Sequence, residues 1–483
     1  MNRLSKSRFI ALAVSGLIGA SGCGGGGGGG GSTGTGQLTS GVITGFGSVY
    51  VDGIEFETNQ SSFSLDDGPG SEDDLEVGMV VTVKGTVDQN GTTGTATHIE
   101  YDDELEGIVL STGIGTDGTG TMDIMGQIVN IGPTTIFESD VPGITGIEQI
   151  VAGNVVEVSG YSSGDGTAFA TRIEVKLASH AGEEIEVKGI IHNLTASTFG
   201  IGGLTVNFST AMLEDIPGGV LVEGLYVEVK STQGMNASGQ LVASKVELED
   251  DGDMDLDGDD GEDVKLNGII TAELSETVFE IDGQTVIIVA DTEFEHGSIV
   301  DLAEGVLVKV EGRFNVDDAL IAEEIELEEE RDIEMEGTLE AVNGTGASGT
   351  VTLFGQTIII NSMTILVDDQ DEDGLLPVHF FGLDDLAAGD FVELDAFRDS
   401  VSGNLVAAKL ERDDHSDDVA SLEGPVEDIP DGNTLVIAGV TVDVSGVGMP
   451  PVSVGDEVEV DGDYDVGTMI FTATAIEVDE EGD

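Results

Sequence analysis

One short segment, first seen as LEVGMVVTVKG at residues 75–85, returns five more times along the chain. In every copy a glycine is followed, three and five residues later, by two apolar residues with a third residue between them. The leading glycines are Gly78, Gly153, Gly224, Gly305, Gly389 and Gly455, and the residues between the apolar pairs are Thr82, Glu157, Glu228, Lys309, Glu393 and Glu459. Because a period of two residues places one side chain in a core and the next in solvent, each copy predicts a half-buried β-strand entered through a glycine turn.

Three further landmarks accompany each copy and divide the chain into six small β-modules. The first strand carries a glycine at position 41, 107, 189, 268, 337 or 424, and a hairpin carries a second at position 53, 126, 203, 283, 355 or 439. The last strand has the pattern Ala-x-x-Ile/Val/Leu-Glu, which begins at Ala96, Ala170, Ala243, Ala322, Ala407 and Ala473. Five strands with a loop or single helical turn before the fourth predict an all-β tandem array of OB-like five-stranded β-barrel modules.

The landmarks also set the predicted domain boundaries. The six modules span residues 40–104, 105–178, 183–250, 264–330, 331–412 and 418–478, and residues 251–263 form an acidic linker. We expect each module to close its own sheet and to fold alone. Short acidic linkers should keep consecutive modules as neighbours, and charge repulsion should extend the array.

The first 22 residues predict a lipoprotein signal peptide. A basic start precedes an apolar run at residues 9–20, and small residues then lead to Cys23, the one cysteine of the chain. This ending resembles a bacterial lipobox, which implies that Cys23 becomes the lipidated N-terminus. An ordinary signal peptide with an incidental cysteine is the alternative.

Residues 23–39 follow as a Gly-rich tether that cannot pack. Gly24, directly after the cysteine, resembles the residue found there in lipoproteins that are sorted to an outer membrane. The predicted location is therefore the cell envelope, by lipid anchor, at the outer membrane of a Gram-negative bacterium.

The charge balance is strongly acidic. The 483 residues include 95 acidic and 16 basic ones, a formal net charge of −79. Such a surface repels phosphates and membrane headgroups and favours cations. OB-folds that bind nucleic acid use a basic groove with aromatic platforms, so we expect no nucleic-acid partner. Adaptation to a salty medium and a specific role for cations both remain explanations of the charge.

The first module carries a family resemblance. The segments GVITGFGS (41–48), VDG (51–53), LEVGMVVTVKG (75–85) and GTATHIE (94–100) resemble the bacterial family called domain of unknown function 5666. The later modules match more loosely and depart from the Gly45-Phe46-Gly47 piece. The resemblance implies tandem modules in secreted or lipid-anchored proteins, and it supplies no chemistry for these residues.

Two acidic segments have the spacing of a calcium loop. They contain Asp253, Asp255 and Asp257, and Asp369, Asp371 and Asp373, each set followed by a glycine. Three such carboxylates supply hard oxygen ligands, but the full loop also needs a closing glutamate. Val264 and Phe380 stand at that position. Calcium binding at these six aspartates and a diffuse cloud of cations on acidic linkers are both open, and the fold requires no other cofactor.

No catalytic sequence motif recurs among the six predicted modules. The six histidines fall at different module positions without metal-ligand spacing, and no nucleophile motif has supporting context. We therefore predict a non-enzymatic, lipid-anchored envelope protein with a structural or binding role toward an extracellular or periplasmic protein or polysaccharide. A calcium-dependent envelope or adhesion protein is the alternative, and a hydrolase with dispersed carboxylates is the third possibility.

Overall fold

The computed structural model describes residues 35–478 except for positions 67, 89–90, 116–117, 163–165, 250–262, 276, 282–283, 304–305, 317–318, 328–332, 369–380, 400–401 and 414–418. Cys23 and the six aspartates of the two Asp-rich segments lie outside the described residues. Regular structure in the described part consists of β-strands and short 3₁₀ turns. None of its helices is long and apolar enough to cross a membrane.

The first three modules contain strands β1 to β19 and turns η1 to η3. Module 1 has β1 (Thr35–Phe46), β2 (Val49–Val51), β3 (Ile54–Glu57), β4 (Ser62–Leu65), β5 (Gly68–Pro69), η1 (Glu72–Asp74), β6 (Val80–Val87) and β7 (Thr93–Tyr101). Module 2 has β8 (Leu105–Ile114), β9 (Gly120–Ile124), β10 (Gln127–Ser139), η2 (Ile147–Gln149), β11 (Val155–Ser162) and β12 (Thr167–Leu177). Module 3 has β13 (Ile185–Ile190), β14 (Thr198–Ile201), β15 (Leu204–Asn207), β16 (Met212–Glu214), η3 (Pro217–Gly219), β17 (Tyr226–Ser231), β18 (Gln240–Val242) and β19 (Lys245–Leu248).

The last three modules contain strands β20 to β37 and turn η4. Module 4 has β20 (Asp263–Ser275), β21 (Val278–Ile281), β22 (Gln284–Glu295), β23 (Leu307–Phe314) and β24 (Leu320–Leu327). Module 5 has β25 (Ile333–Thr338), β26 (Ala341–Thr345), β27 (Ser348–Leu353), β28 (Gln356–Ile360), β29 (Ile365–Asp368), η4 (Leu383–Asp385), β30 (Phe391–Arg398) and β31 (Leu405–Asp413). Module 6 has β32 (Ala420–Asp431), β33 (Thr434–Ile437), β34 (Val440–Asp443), β35 (Glu457–Asp465), β36 (Ile470–Ala473) and β37 (Glu477–Val478).

Strand pairing closes the modules into barrels. In module 4, β20 pairs with β21, β21 with β22, β22 with β24, β24 with β23, and β23 again with β20. The pairing of β22 with β24 is parallel and the others are antiparallel. Modules 2 and 6 close the same ring, and so does module 1 through β1, β2, β3, β7 and β6. Modules 3 and 5 keep this strand order with some strands broken in two. The predicted OB-like barrels are confirmed.

The repeated segment forms the fourth strand of each barrel and lines its core. The two apolar residues that follow each leading glycine are no more than 1% exposed in any module. They are Val81 and Val83, Val156 and Val158, Val227 and Val229, Val308 and Val310, Val392 and Leu394, and Val458 and Val460. The predicted inward-facing positions are therefore confirmed. Of the residues between them, Glu459 is exposed as predicted, whereas Glu228 is only 2% exposed.

A β-bulge explains the alanine that the sequence pattern marks in the last strand. In four modules a glycine of the fourth strand faces that alanine, and module 5 has Ala396 in the same place. A Cβ on Gly160 would lie 2.0 Å from the carbonyl oxygen of Phe169, and one on Gly312 would lie 2.2 Å from that of Ile321. The two strands approach so closely at the bulge that small residues are needed on both.

This bulge gives a first prediction. Gly312→Ala should lower the free energy of unfolding by about 1–2 kcal/mol, because the new Cβ meets backbone that must shift. Ala396→Gly, at the matched position of module 5, makes no new contact and should cost about 1 kcal/mol or less. Urea unfolding of the two variants measures both values, and a harmless Gly312→Ala would contradict the tight approach of the strands.

Hairpin turns of one kind join the second and third strands. Asp52, Met125, Phe354 and Ala438 have φ between 48° and 50°, and each is followed by a hairpin glycine with φ between 73° and 88°. Two successive residues with positive φ are the mark of a type I′ turn, whose twist suits a β-hairpin. These four of the six predicted hairpin glycines therefore occupy the turn that the sequence indicated.

First strands join the modules in pairs, and this corrects the prediction of modules that stand alone in an extended array. Strand β8 pairs with β13 between modules 2 and 3, β25 pairs with β32 between modules 5 and 6, and β1 pairs in parallel with β20 between modules 1 and 4. Modules 2 and 3 share one apolar core and modules 5 and 6 share another. The barrels form one compact unit, in which modules 1 and 4 are partners although they are not consecutive.

The modules pair through their first strands because each of these strands is longer than its own barrel requires. In module 4 the second strand pairs with residues 270–275 of β20, whereas β1 pairs with residues 263–266. The first half of the strand therefore keeps one edge open after its barrel has closed. An open edge presents unpaired N–H and C=O groups, and a neighbouring module satisfies them. This backbone pairing, with the apolar surface buried beside it, outweighs the repulsion between acidic modules.

The two antiparallel pairs have the same register. In each pair, the residue two places before the first-strand glycine of one module faces the equivalent residue of the other module. These residues are Leu105 and Val187 in modules 2 and 3, and Met335 and Leu422 in modules 5 and 6. All four are at most 3% exposed. The hairpins of each pair also meet, since Gly203 N donates to the Gly126 carbonyl at 2.8 Å in one pair and Gln356 Nε2 donates to the Gly439 carbonyl at 3.1 Å in the other. Each pair is thus built around a local two-fold axis.

Candidate functional site at the junction of the first three modules

A row of glutamates crosses the boundary between modules 2 and 3. Five neighbouring strands each contribute one glutamate, and each glutamate faces the next across the sheet. In order they are Glu186 on β13, Glu106 on β8, Glu157 on β11, Glu174 on β12 and Glu138 on β10. Glu157 is the residue between the two buried valines of the repeated segment, and Glu174 closes the alanine pattern of the last strand. Like charges directly opposite on neighbouring strands are destabilising, so this row needs compensation.

Basic side chains of β12 compensate one end of the row. Lys176 Nζ lies 3.1 Å from Glu157 and 3.2 Å from Glu174. Arg172, with a side chain 4% exposed, forms an ion pair with Glu138. Arg172 also donates to the Val77 carbonyl of module 1 at 3.3 Å, and Thr171 Oγ1 donates to the Gly78 carbonyl at 2.7 Å. The same residues thus balance charge in module 2 and hold the turn of module 1.

The linker between modules 1 and 2 adds Asp102 and Asp103 to this region, and the turn between β4 and β5 adds Asp66. Asp103 is 4% exposed, and its backbone N–H donates to Asp66 Oδ1 at 3.2 Å. Lys188 of module 3 lies 2.7 Å from Asp102 and donates to the Asp103 carbonyl at 2.8 Å. Three modules therefore meet around Asp103, and we call this region the acidic junction.

Carboxylate groups at the acidic junction form two overlapping triads. Ligand oxygens of Asp103, Glu106 and Glu157 lie within 4.8 Å of one another, and so do those of Asp66, Asp102 and Asp103. Asp103 belongs to both triads. The Tyr101 hydroxyl donates to Glu157 Oε1 at 3.1 Å and lies 2.7 Å from Ser159 Oγ.

Burial changes the proton affinity of these carboxyl groups. It raises the pKa of Glu106 to about 7, with help from the charges of Glu157 and Glu186, and the pKa of Asp66 to about 6. Burial and the neighbouring Glu186 also raise the pKa of Asp103. Although burial acts in the same direction on Glu186, its hydrogen bond with Asp103 and the nearby lysines hold its pKa below the usual value. The two carboxyl groups therefore shift each other's pKa in opposite directions, upward for Asp103 and downward for Glu186.

A matching row crosses modules 5 and 6. Five neighbouring strands again contribute one carboxylate each, and each carboxylate faces the next. In order they are Asp395 on β30, Glu334 on β25, Glu423 on β32, Glu459 on β35 and Glu477 on β37. Glu334 is faced by Asp395 and Glu393 on β30, by Glu423 on β32 and by Glu336 on its own strand. Burial, reinforced by these carboxylates, raises the pKa of Glu334 to about 8.

Glu334 makes stability depend on pH. Since its pKa is about 8 in the folded protein and the ordinary value for a glutamate is 4.5, the folded state holds a proton that the unfolded state releases between these values. The free energy of unfolding should therefore fall as the pH rises through this window, on the order of 2–4 kcal/mol from this group. Urea unfolding at several pH values should show a shallower fall for Glu334→Gln than for wild type. The exposed Glu148→Gln removes the same charge and should leave the slope unchanged, and parallel curves for Glu334→Gln and wild type would refute the assignment.

A separate buried charge lies between modules 1 and 4. The Asp52 side chain is fully buried in the hairpin turn of module 1, where Asn267 Nδ2 donates to its Oδ1 at 3.2 Å. Lys309 Nζ lies 3.5 Å and Lys265 Nζ 3.8 Å from its carboxylate. Burial raises the pKa of Asp52 although both lysines oppose this. Because Asp52 belongs to module 1 and its two lysines belong to module 4, the cluster joins these modules.

A small pocket lies between modules 1 and 5. Its lining includes Phe46, Tyr50, Leu366, Phe381 and Asp385. Phe46 comes from the Gly-Phe-Gly piece that sets the first module apart, and that piece is used here to contact a neighbour.

The sequence singled out other residues as metal ligands. The six aspartates of the Asp-rich segments and Cys23 are outside the described residues, whereas the acidic junction is built from residues that the sequence did not single out as ligands. The sequence patterns mark Glu157 as the residue between two buried strand positions and place Asp103 at the end of module 1. Neither pattern indicates that a strand of module 2 and the preceding linker meet at one point.

These features define a repeat protein of closed, acidic OB-like barrels joined by strand pairing. The chain belongs to the family described as domain of unknown function (DUF5666), whose model matches residues 35–100, 106–174, 188–247, 267–326, 336–411 and 423–477. A solved structure, "drosophila Unr CSD456", is similar over 47% of this chain and 97% of that chain, with 14% identity and a TM-score of 0.12. No curated protein matches the chain. At so low a TM-score, the OB-like assignment depends on the strand order of the barrels themselves.

Proposed function

We propose that this protein is a lipid-anchored component of a bacterial cell envelope with a structural or binding role rather than an enzymatic one. Cys23 is the proposed lipid attachment site, and residues 23–34 are the proposed tether that holds the barrels off the outer membrane. The predicted tether of residues 23–39 is too long, because residues 35–39 belong to β1, which pairs with β6 and β20 and buries Leu38 at 2% exposure. The proposed partner is an envelope or extracellular protein or a polysaccharide. A formal net charge of −79 argues against nucleic acid.

One observation carries the proposal: apolar side chains fill the interiors of the barrels, and strand pairing joins the barrels to one another. Apolar side chains of the shared and separate cores occupy the barrel interiors. What the chain offers to a partner is therefore its outer surface, on which related module faces recur. Recurring faces suit multivalent binding, in which weak single contacts add up.

Binding by recurring faces is tested with protein and polysaccharide probes. The mature chain and the pair of modules 2 and 3 are compared on glycan arrays and in pull-downs of envelope proteins. The apparent affinity should rise by about tenfold or more from the pair to the full chain. Equal signals at matched module concentration would count against multivalent binding, and turnover in a broad hydrolase screen would overturn the non-enzymatic role.

The anchor has its own test. Metabolic labelling with a fatty acid should mark the wild-type protein and not Cys23→Ala. A second variant, Ser21→Thr, leaves the cysteine in place and should still be labelled. Equal labelling of wild type and Cys23→Ala would show that the cysteine is not the attachment site.

A calcium-dependent envelope or adhesion role is the second candidate. The spacing of Asp253, Asp255 and Asp257, and of Asp369, Asp371 and Asp373, favours it. Replacing the six aspartates by asparagine should then reduce the number of calcium ions bound in calorimetry. Unchanged uptake and an unchanged thermal midpoint in chelator would remove this candidate.

A further inference from the structure

We propose that Asp103, Glu106 and Glu157 bind one divalent cation of the calcium class at the acidic junction. These carboxylates come from the linker after β7, from β8 and from β11. Their ligand oxygens lie within 4.8 Å of one another. Oxygens on opposite sides of a calcium ion are about 4.6–5.2 Å apart, twice the usual Ca–O distance, so a single ion can reach all three.

Asp103 provides a second, independent observation. Its side chain is 4% exposed, and its Oδ1 has no hydrogen-bond donor among the described residues. A buried carboxylate oxygen without a donor is costly, and proteins ordinarily satisfy such atoms. The same carboxylate takes part in both triads, so it points into the cluster. A cation at this position would satisfy it.

The basic groups around the triad contact Glu157 or carboxylates outside the triad, and none of Lys176, Lys188 and Lys230 forms an ion pair with Glu106. Lys176 is shared between Glu157 and Glu174, Lys188 contacts Asp102, and Lys230 lies 3.2 Å from Glu186. Within the described part of the chain, Glu106 forms no ion pair, although it lies directly between Glu186 and Glu157 on neighbouring strands. Glu106 and Asp103 are therefore the carboxyl groups whose ionised form an added cation would stabilise.

The donor set selects the kind of ion. All three ligands are carboxylates, and hard oxygen ligands favour calcium or magnesium over zinc or copper. Glu106 and Glu157 are half-buried, so water can complete the coordination shell. The outer triad is the weaker choice, because two of its members are already partnered, Asp102 by Lys188 and Asp66 by the backbone N–H of Asp103. In the inner triad this holds for Glu157, which contacts Lys176 and the Tyr101 hydroxyl.

The consequence would be a metal-tied junction. The ion would join the end of module 1 to the first and fourth strands of module 2, next to the first strand of module 3. This site is independent of the Asp-rich segments and of whatever partner the outer surface binds, so either can fail without the other.

Tyr101 makes the site directly observable. Terbium substitutes for calcium, and its emission is sensitised by a tyrosine close to the bound ion. The chain has no tryptophan and five tyrosines, and the Tyr101 hydroxyl lies 3.1 Å from Glu157 Oε1. We therefore expect the full mature chain, stripped with chelator, to give saturable terbium emission on tyrosine excitation that calcium competes away.

Variants locate the ion. Asp103→Asn and Glu106→Gln should each weaken the sensitised terbium signal by about tenfold or more in apparent affinity. Tyr101→Phe should lose emission but keep the rise in thermal midpoint that calcium gives to wild type. The matched control Glu228→Gln, at the position of module 3 that corresponds to Glu157, should bind terbium as wild type does.

The contrary outcomes are equally specific. Wild-type emission in both Asp103→Asn and Glu106→Gln would overturn the proposal. Emission that survives Glu106→Gln but is lost in Asp66→Asn would place the ion in the outer triad and overturn the assignment made here. If Asp103→Asn does not fold, Glu106→Gln and Tyr101→Phe decide alone, because neither removes the most buried carboxylate.

Discussion

Replacing Lys309 by methionine is expected to lower the free energy of unfolding by about 2–4 kcal/mol, because the fully buried Asp52 carboxylate loses its closest ammonium group. Lys265 and Asn267 remain near Asp52, so the loss should be smaller than that of an isolated buried pair. Methionine keeps most of the side-chain volume, and the change therefore tests charge rather than packing. Urea unfolding of the mature chain measures the loss.

The control for this prediction is a rescue. Asp52→Asn removes the buried charge and leaves a residue that suits a type I′ turn before Gly53. Added to Lys309→Met, it should restore most of the lost stability, whereas on its own it should cost little. If the two substitutions proved additive, the contact between Asp52 and Lys309 would have no role in joining modules 1 and 4.

Separating modules 5 and 6 is expected to have the largest effect of all. Their shared core includes Met335, which pairs with Leu422, and Phe354, which reaches from the hairpin of module 5 into module 6. The Phe354 ring packs edge-on against Phe471 with centroids 5.1 Å apart and lies 5.4 Å from Tyr464. Exposing such a side chain costs about 1.5–3 kcal/mol, so the loss of several together should exceed the stability of one small barrel.

The barrels were predictable because their signals are local. A glycine followed by alternating apolar residues fixes both the strand and the face that is buried, as Val308 and Val310 show at 1% and 0% exposure. Asp52-Gly53 is a strong turn signal, and it forms the expected turn. Phe354-Gly355 forms the same turn without that signal, because packing against module 6 stabilises the phenylalanine at positive φ.

Pairing between modules was not predictable in the same way. It joins backbone groups of residues far apart in sequence, such as Leu105 and Val187, and backbone pairing leaves no signature in side-chain composition. The acidic junction was hidden for another reason. With 95 acidic residues in the chain, no single carboxylate indicates a binding site from the sequence alone. Glu106 can be recognised as part of a site only from the strand pairing, which places Glu157 and Glu186 beside it.

Calorimetry of three fragments tests most directly the central claim that a pair of barrels, and not one barrel, is the folding unit. The fragments are residues 331–478, residues 331–413 and residues 419–478. The paired fragment should melt in one cooperative transition whose calorimetric and van't Hoff enthalpies agree, and each half alone should show no transition or a midpoint far below that of the pair. Two halves that each melt cooperatively at the temperature of the pair would contradict the account.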